Sequence, residues 1–223
     1  MSHLPFDHAL CLTHDRRLRQ YQQEGTQTIV HQLSGRGIVV ERFLAGDGSL
    51  PGMTYDWIDQ DRPPRSQAFN YASCLLTCLR RMEEAGWRRL LYLEDDALLT
   101  PHFDLLFPEV CQEIEALERT PGGFDLYYLG GNHGNGYCLQ VGDFTIRTSY
   151  TLDLHAVIIH RQALPQLLAI EPSSHHTIDG VIAERQRTGR LRVFAAHPCL
   201  ITQRSGWSFN EGRHDDKSDR HWV

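Results

Sequence analysis

The chain has 223 residues, a formal net charge of −6, and ordinary hydrophobic (41%) and charged (22%) fractions. This composition excludes a largely disordered chain and predicts one domain with a full-sized core. The negative charge argues against a nucleic-acid-binding protein, which normally gains affinity from a positive surface that neutralises phosphates.

Strand and helix patterns alternate along the first half of the chain. Short apolar or β-branched runs predict strands at 8–13, 28–30 and 38–43, and an irregular segment at 50–65 predicts a loop. From Ser66 to Gly86, hydrophobic residues recur at spacings of three and four, which predicts a capped amphipathic helix. The apolar run 89–93 predicts a buried strand, and it ends abruptly in Glu94, Asp95 and Asp96.

The second half continues the alternation. Thr100 and Pro101 are typical of a helix start, and the Pro-Gly segment 121–123 is typical of its end. Strands are predicted at 124–129, 155–160 and 191–195, and helices at 162–169 and 177–187. This order indicates an α/β domain over residues 1–203, with helices on both faces of a mostly parallel sheet. We expect the polar tail, 204–223, to be partly mobile.

The acidic run Glu94-Asp95-Asp96 is the main candidate for a functional site. Open α/β sheets bind ligands at the carboxyl ends of their strands, and neighbouring carboxylates repel one another unless a cation lies between them. Mg²⁺ and Mn²⁺ typically take one or two carboxylates together with phosphate oxygens. The run therefore predicts a divalent-cation site for a nucleoside diphosphate. The alternative is a solvated acidic turn that caps the following helix.

A wider set of segments resembles one known family. The segment 90–97, with the sequence LLYLEDDA, is similar to an ILEDDA motif. Weaker similarities follow in the same order along the chain, at Leu12 with 15–17, at 40–48, 125–130, 155–159, Ile178-Asp179, His197-Pro198, Gln203 and Ser208. Together they resemble glycosyltransferase family 25, the lipopolysaccharide-biosynthesis and collagen-galactosyltransferase-like group. Cys11, Cys74 and Thr177 depart from the family pattern, so the resemblance is to a divergent member.

The resemblance implies a GT-A-type fold, a nucleotide-sugar donor such as UDP-galactose or UDP-glucose, and Mn²⁺ (or Mg²⁺) as the cofactor. It implies that Asp96 is a direct metal ligand and that His197 is a late second ligand. Asp95 and Glu94 would contact the metal or the donor sugar. The metal would neutralise charge on the departing diphosphate.

The same resemblance implies roles for three further residues. Arg16 and Arg17 would lie near the nucleotide. Asp179 is the candidate for the base that takes the proton of the acceptor hydroxyl in an inverting transfer. The alternative for Asp179 is a carboxylate at a helix N-terminus, where the helix dipole favours negative charge.

The expected partners are a nucleotide-sugar donor and a glycan or lipid-linked glycan acceptor, without nucleic acid. No segment reaches the roughly 18 apolar residues that a transmembrane helix requires, and the N-terminus has no apolar signal region. The six cysteines are scattered without a CxxC pair, which favours a reducing compartment. We therefore expect a cytoplasmic protein that meets any lipid-linked acceptor by peripheral contact with a membrane.

The glycine-rich stretch 130–136 predicts a flexible loop over the site, in which His133 is a candidate for contact with donor or acceptor.

Two other functions stay open. A metal-dependent nucleotidyltransferase or phosphohydrolase could use the same acidic run. A catalytically silent nucleotide-sugar-binding module is the other alternative, which the departures at Cys11 and Cys74 keep open.

Overall fold

The computed structural model describes residues 4–45, 63–134, 136–171, 177–208 and 213–215. The strands are β1 (His8–His14), β2 (Glu41–Ala45), β3 (Arg89–Glu94), β4 (Ala97–Leu99), β5 (Leu126–Asn132), β6 (Cys138–Gln140), β7 (Thr145–Thr148), β8 (Leu152–His160), β9 (Val193–Ala196), β10 (Ile201–Gln203), β11 (Gly206–Ser208) and β12 (Arg213–Asp215). The helices are α1 (Asp15–Glu24), α2 (Ile29–Ser34), α3 (Pro63–Ala85), α4 (Phe103–Glu118), α5 (Leu164–Leu168) and α6 (Ile178–Arg187), with a short 3₁₀ helix at Arg161–Ala163.

Eight of these strands form the central sheet, in the order β2-β1-β3-β8-β5-β9-β7-β6. Strands β8 and β7 run antiparallel to their neighbours, so the other six share one direction. The predicted mostly parallel sheet is confirmed. Strands β1, β3, β5 and β9 end at one edge, which we call the carboxyl edge, and β8 begins there.

Helices cover both faces of the sheet, as the sequence predicts. Alternate residues of β3 show the two sides: Leu90 and Tyr92 pack with α3, α5 and α6, whereas Leu91 and Leu93 pack with α2 and α4. These side chains of β3 are almost completely buried. The prediction that the apolar run 89–93 forms a buried strand is confirmed. Burial on both faces is typical of a central strand in an α/β sheet.

Several local predictions are wrong. Thr28 caps the start of α2, where its hydroxyl accepts a hydrogen bond from the backbone N–H of His31, so the strand predicted at 28–30 is a helix start. Helix α3 begins at Pro63, before the predicted cap at Ser66. The Thr100 hydroxyl donates to the carbonyl of Leu200 (2.9 Å) and does not cap α4. Residues 50–62 of the predicted loop lie outside the described residues, and residues 63–65 are part of α3.

The glycine-rich stretch begins as a strand, because β5 continues to Asn132. A Cβ atom on Gly130 would overlap the carbonyl oxygen of Ile201, and one on Gly131 would lie 2.7 Å from Cγ2 of Thr151. Close packing therefore requires glycine at both positions. The prediction of a flexible loop is wrong for residues 130–132, while Asn135 lies outside the described residues.

Candidate active site

The acidic run lies at the carboxyl edge, in the turn between β3 and β4. Strand β3 pairs in parallel with β1, with Glu94 opposite Leu12, so the turn lies beside the end of β1 and the start of α1. After the turn, β4 pairs with β10. A short strand thus follows the acids, and the helix predicted to follow them starts later, at Phe103.

Arg17 on α1 fixes both aspartates of the turn. Its Nη1 atom lies 2.7 Å from Oδ1 of Asp95 and 2.9 Å from Oδ2 of Asp96. The second oxygen of Asp95 accepts a hydrogen bond from the backbone N–H of His14 (2.7 Å). Oδ1 of Asp96 is buried and has no hydrogen-bond partner among the described residues. Asp95 is therefore anchored through both oxygens, whereas Asp96 keeps one oxygen for a ligand.

Burial is the largest influence on the ionisation of this turn. It raises the pKa of Asp95 to about 6, although the Arg17 guanidinium opposes the shift. Burial also raises the pKa of Glu94 well above its usual range, and the charges of Asp96, Asp153 and Asp179 add to that rise. The carboxyl edge thus concentrates carboxylates whose mutual repulsion a bound cation would relieve.

Asp179 lies at the start of α6 and faces the beginning of β8. Its Oδ1 atom accepts a hydrogen bond from the N–H of Gly180 (2.9 Å), and Oδ2 accepts one from the N–H of Asp153 (3.4 Å). Asp153 has a φ of 66°, in the left-handed region that non-glycine residues rarely adopt. The structure therefore brings Asp179 towards Glu94, and it adds Asp153, which nothing in the sequence pattern indicates.

The segment after β10 is fixed to the acidic turn. The Gln203 amide donates to Oε2 of Glu94 (3.5 Å), and the backbone N–H of Arg204 donates to the carbonyl of Asp96 (2.8 Å). The Arg204 guanidinium donates to the carbonyl of Gln27 (2.6 Å) and lies 5.8 Å from the ring centre of Tyr21. The described part of the predicted tail therefore begins in contact with the site, and β11 pairs with β12 beyond it.

His133 follows β5 at the same edge and is only 7% exposed. Its Nδ1 atom lies 2.9 Å from the hydroxyl of Thr151, which donates to the hydroxyl of Thr148 (3.2 Å). Its Nε2 atom is buried without a hydrogen-bond partner among the described residues. Burial, followed by the nearby His197, lowers the pKa of His133 to about 4.

His197 follows β9, and its backbone N–H donates to the carbonyl of Phe144 (2.9 Å). Its Nδ1 atom is also buried and lacks a hydrogen-bond partner within the described part of the chain. His197 therefore lies where β9 reaches the carboxyl edge, and its role as a metal ligand stays a prediction.

The described side chains do not form a complete metal cage. In the described ranges, no group of three or more His, Cys, Asp or Glu residues is arranged to hold a metal ion. A cation at Asp96 would therefore take most of its ligands from a diphosphate and water, as Mg²⁺ and Mn²⁺ commonly do.

Arg16, which is predicted to lie near the nucleotide, is on α1, but its side chain is outside the described part of the structure.

The ionisation of His133 predicts a measurable loss of stability in acid. With the pKa lowered from 6.5 to about 4, the unfolded chain takes up a proton between these values while the folded protein does not. The stability present above pH 6.5 is therefore lost as pH falls, by about 3 kcal/mol at pH 4. Urea unfolding of the metal-free protein at pH 7 and pH 4 should show this loss.

In His133→Asn the loss should be smaller, because asparagine does not titrate and can still donate to Thr151. The matched control is His31→Asn, which replaces an exposed histidine on α2 and should keep the wild-type pH dependence. Equal pH dependence in the wild type and His133→Asn would show that His133 is not protected from protonation.

The comparisons with known proteins give a general structural likeness. No protein-family model matches the chain, and no curated protein matches it in sequence. Protein A197 from STIV is a similar solved structure, with 15% identity, a TM-score of 0.42, and coverage of 94% of this chain and 95% of that one. A glycosyltransferase involved in glycosylation of the major capsid of PBCV-1 has 12% identity, a TM-score of 0.41, and coverage of 92% and 96%.

A UDP-glucose pyrophosphorylase complexed with UDP-glucose is also similar, with 10% identity, a TM-score of 0.45, and coverage of 88% of this chain and 74% of that one. At these values the likeness supports no conclusion about activity. None of the described helices is long and apolar enough to cross a membrane.

Proposed function

We propose that the protein is a divalent-cation-dependent glycosyltransferase that moves a hexose from a nucleotide-diphosphate sugar, UDP-linked, to a hydroxyl of a glycan acceptor. The observation that carries the proposal is the buried oxygen Oδ1 of Asp96, which lacks a hydrogen-bond partner among the described residues. It lies in an acidic turn at the carboxyl edge, where α/β sheets bind ligands. An unpaired buried carboxylate oxygen is costly, and a cation would remove that cost.

The residues of the turn fit a hard divalent cation. Asp96 would hold Mn²⁺ or Mg²⁺ through Oδ1, while Oδ2 stays on Arg17. His197 would be the second protein ligand. When bound, the cation supplies positive charge that stabilises the departing diphosphate. Two protein ligands leave room for phosphate oxygens in the coordination shell.

Arg17 has two roles in this proposal. Its guanidinium holds Asp95 and Asp96 in place before the donor binds, and it adds positive charge beside the site of the diphosphate. Asp95 is a positioning residue, because both of its oxygens are already engaged. Direct contacts of Glu94 with the donor sugar, and of Arg16 with the nucleotide, are parts of the proposal.

Asp179 is the proposed base for the acceptor hydroxyl. Its carboxylate accepts hydrogen bonds from backbone N–H groups of Gly180 and Asp153, which fix its orientation. The charge of Asp179 adds to the rise in the pKa of Glu94, which supports a proposed base near the acidic turn. Proton transfer from the acceptor oxygen to Asp179 would accompany attack on the sugar.

The family of the chain and the kind of acceptor are also parts of the proposal. We propose that the chain is a divergent member of glycosyltransferase family 25, because the LLYLEDDA segment forms β3 and the acidic turn of the site. The proposed acceptor is a glycan or lipid-linked glycan of a lipopolysaccharide type, used at the cytoplasmic side of a membrane.

A thermal-shift panel tests this function. UDP-, GDP- and CMP-sugars are each added with and without Mn²⁺, and the melting temperature is measured. We expect a UDP-sugar to raise the melting temperature only when Mn²⁺ is present, because Asp96 would hold the cation and the cation would supply the positive charge for the diphosphate. At a ligand concentration 100 times Kd, the stabilisation is about 2.7 kcal/mol.

The other outcomes distinguish the alternatives. Turnover of a nucleoside triphosphate or a phosphoester without sugar transfer would indicate a nucleotidyltransferase or phosphohydrolase. Nucleotide-sugar binding without transfer to any glycan would indicate a silent binding module. Stabilisation that does not depend on metal would contradict the proposed role of Asp96.

A further inference from the structure

Arg204 follows β10 and contacts both the acidic turn and helix α1. Its backbone N–H donates to the carbonyl of Asp96 (2.8 Å), and its Nη2 atom donates to the carbonyl of Gln27 (2.6 Å). The guanidinium carbon lies 5.8 Å from the ring centre of Tyr21. Tyr21 follows Arg17 by four residues on α1, so the two side chains lie on the same face of that helix. Arg204 therefore brings a second guanidinium beside the face of α1 that carries Arg17.

A buried donor and a buried acceptor belong to these linked residues. Nε of Arg204 and Oδ1 of Asp96 are each buried and have no hydrogen-bond partner among the described residues. The two atoms therefore do not bind one another, although a hydrogen bond joins the backbones of the two residues. Leaving a buried group unpaired costs free energy, and the cost is greater for a charged group. A ligand that brings a phosphate oxygen to Nε and a cation to Oδ1 would satisfy both atoms.

The scarcity of metal ligands makes a second arginine important for a diphosphate. Within the described ranges, no group of three or more His, Cys, Asp or Glu residues is arranged to hold a metal ion. The diphosphate carries several negative charges and would lie beside an acidic turn, so positive side chains must contribute to its binding. Nη1 of Arg17 is already engaged by the two aspartates. A guanidinium N–H that still lacks an acceptor is well suited to a phosphate oxygen.

We propose that Arg204 is a phosphate-binding residue of the donor site, and that its Nε–H donates to an oxygen of the diphosphate. This inference rests on the proposed function, because it concerns the donor of the same site. The backbone N–H of Arg204 keeps its bond to Asp96, and Nη2 keeps its bond to Gln27. Arg204 would therefore connect the diphosphate directly to the acidic turn.

Nitrogen-15 NMR of the Arg204 side chain tests the contact. The Nε–H resonance is assigned by its absence from Arg204→Lys, and UDP is added with Mg²⁺, which does not broaden the signals as Mn²⁺ does. We expect UDP to shift the resonance and to slow its exchange with water, because the N–H then donates to a charged oxygen. Uridine, which has no phosphate, should leave the resonance unchanged.

Two results of this experiment would overturn the inference. The first is an Nε–H resonance that UDP does not move, which is the result expected if only a water molecule pairs with Nε. The second is an equal shift with uridine and with UDP, which would place the contact on the nucleoside and not on the phosphates.

Substitution of Arg204 gives a second, quantitative test. Arg204→Met should lower the affinity for UDP in the presence of Mg²⁺ by about tenfold or more, because a hydrogen bond between charged groups is lost. Isothermal titration calorimetry measures this change. Arg187→Met is the matched control, because its ion pair with Glu184 is exposed, and it should bind UDP like the wild type. Equal affinity of Arg204→Met and the wild type would contradict the assignment.

Arg204→Lys distinguishes a phosphate contact from a purely structural role. Lysine keeps the positive charge and can still donate to the carbonyl of Gln27 or lie over the ring of Tyr21, but it has no donor in place of Nε. We expect its affinity for UDP to lie between those of Arg204→Met and the wild type. Full recovery of affinity in Arg204→Lys would show that Nε is not needed.

An assay of sugar transfer separates this inference from the proposed function. If UDP moves the Nε–H resonance of Arg204 but no UDP-sugar is transferred to a glycan, the phosphate contact is supported while the glycosyltransferase function fails. If a UDP-sugar is transferred only in the presence of a divalent cation while that resonance does not move, the function is supported and the assignment of Arg204 fails.

Discussion

Replacing Asp96 by Asn is expected to abolish the Mn²⁺-dependent binding of a UDP-sugar. Asparagine has nearly the same shape and can still accept the hydrogen bond from Arg17, but it lacks the negative charge that holds the cation. Loss of the cation removes several kcal/mol of interaction with the diphosphate, so the affinity should fall about 100-fold or more. Isothermal titration calorimetry with and without Mn²⁺ measures both the affinity and its dependence on metal.

The matched control is Glu184→Gln, which also removes one negative charge. Glu184 is exposed near the end of α6 and pairs with Arg187, distant in sequence from the acidic turn and on the solvent side of its helix. This variant should bind the UDP-sugar like the wild type. Equal affinity of Asp96→Asn and the wild type in the presence of Mn²⁺ would remove Asp96 from the site.

Replacing Arg17 by Met is expected to cause the largest loss of stability. Arg17 and the two aspartates that it pairs with are largely buried, with side chains 10–16% exposed. Removing one partner of a buried ion pair leaves an uncompensated charge and typically costs about 3–5 kcal/mol. Urea unfolding at pH 7.5 in the presence of a chelator measures this loss directly.

The loss in Arg17→Met should depend on pH. The pKa of Asp95 in the folded wild type is about 6, above its value in the unfolded chain, and the Arg17 guanidinium holds it lower than burial alone would. In Arg17→Met the pKa of Asp95 should therefore rise further, so the folded variant takes up a proton at higher pH than the wild type. The variant should be most destabilised well above pH 6, and it should approach the wild type at pH 5, where the carboxyl is protonated in both folded proteins.

A double-mutant cycle completes the test. Arg17→Met combined with Asp95→Asn should recover part of the stability, because the anchored carboxylate is then neutral. Arg187→Met is the control, because the ion pair between Arg187 and Glu184 is exposed and its loss should change stability little. If Arg17→Met unfolds at the same urea concentration as the wild type, the ion pairs do not organise the turn.

The centre of the site could be predicted from sequence because its signals are local. The apolar run from Leu90 to Leu93 is long enough to specify a buried strand, and the three acids follow it immediately. In an α/β sheet the end of such a strand is a ligand-binding position, so residue order alone gives the location. The helix start at 28–30 could not be predicted correctly, because the β-branched residues Thr28, Ile29 and Val30 do not distinguish a short strand from a capped helix start.

The remaining parts of the site depend on contacts between distant segments. The Thr151 hydroxyl contacts the ring of His133 from 18 residues away in the sequence, and the backbone N–H of Arg204 donates to the carbonyl of Asp96 from more than 100 residues away. Asp153 is positioned by an unusual backbone conformation at the start of β8. Thr151, Asp153 and Arg204 form no pattern with their neighbours in sequence, so their contacts become visible only when the strands are assembled into the sheet.

The most direct test of the central claim is a crystal structure of the protein with Mn²⁺ and a UDP-sugar, with the metal located by anomalous scattering. We expect one manganese ion in contact with Oδ1 of Asp96 and with oxygens of the diphosphate. An ordered nucleotide whose manganese ion is bound elsewhere, with the carboxylate of Asp96 directed into solvent, would contradict the account.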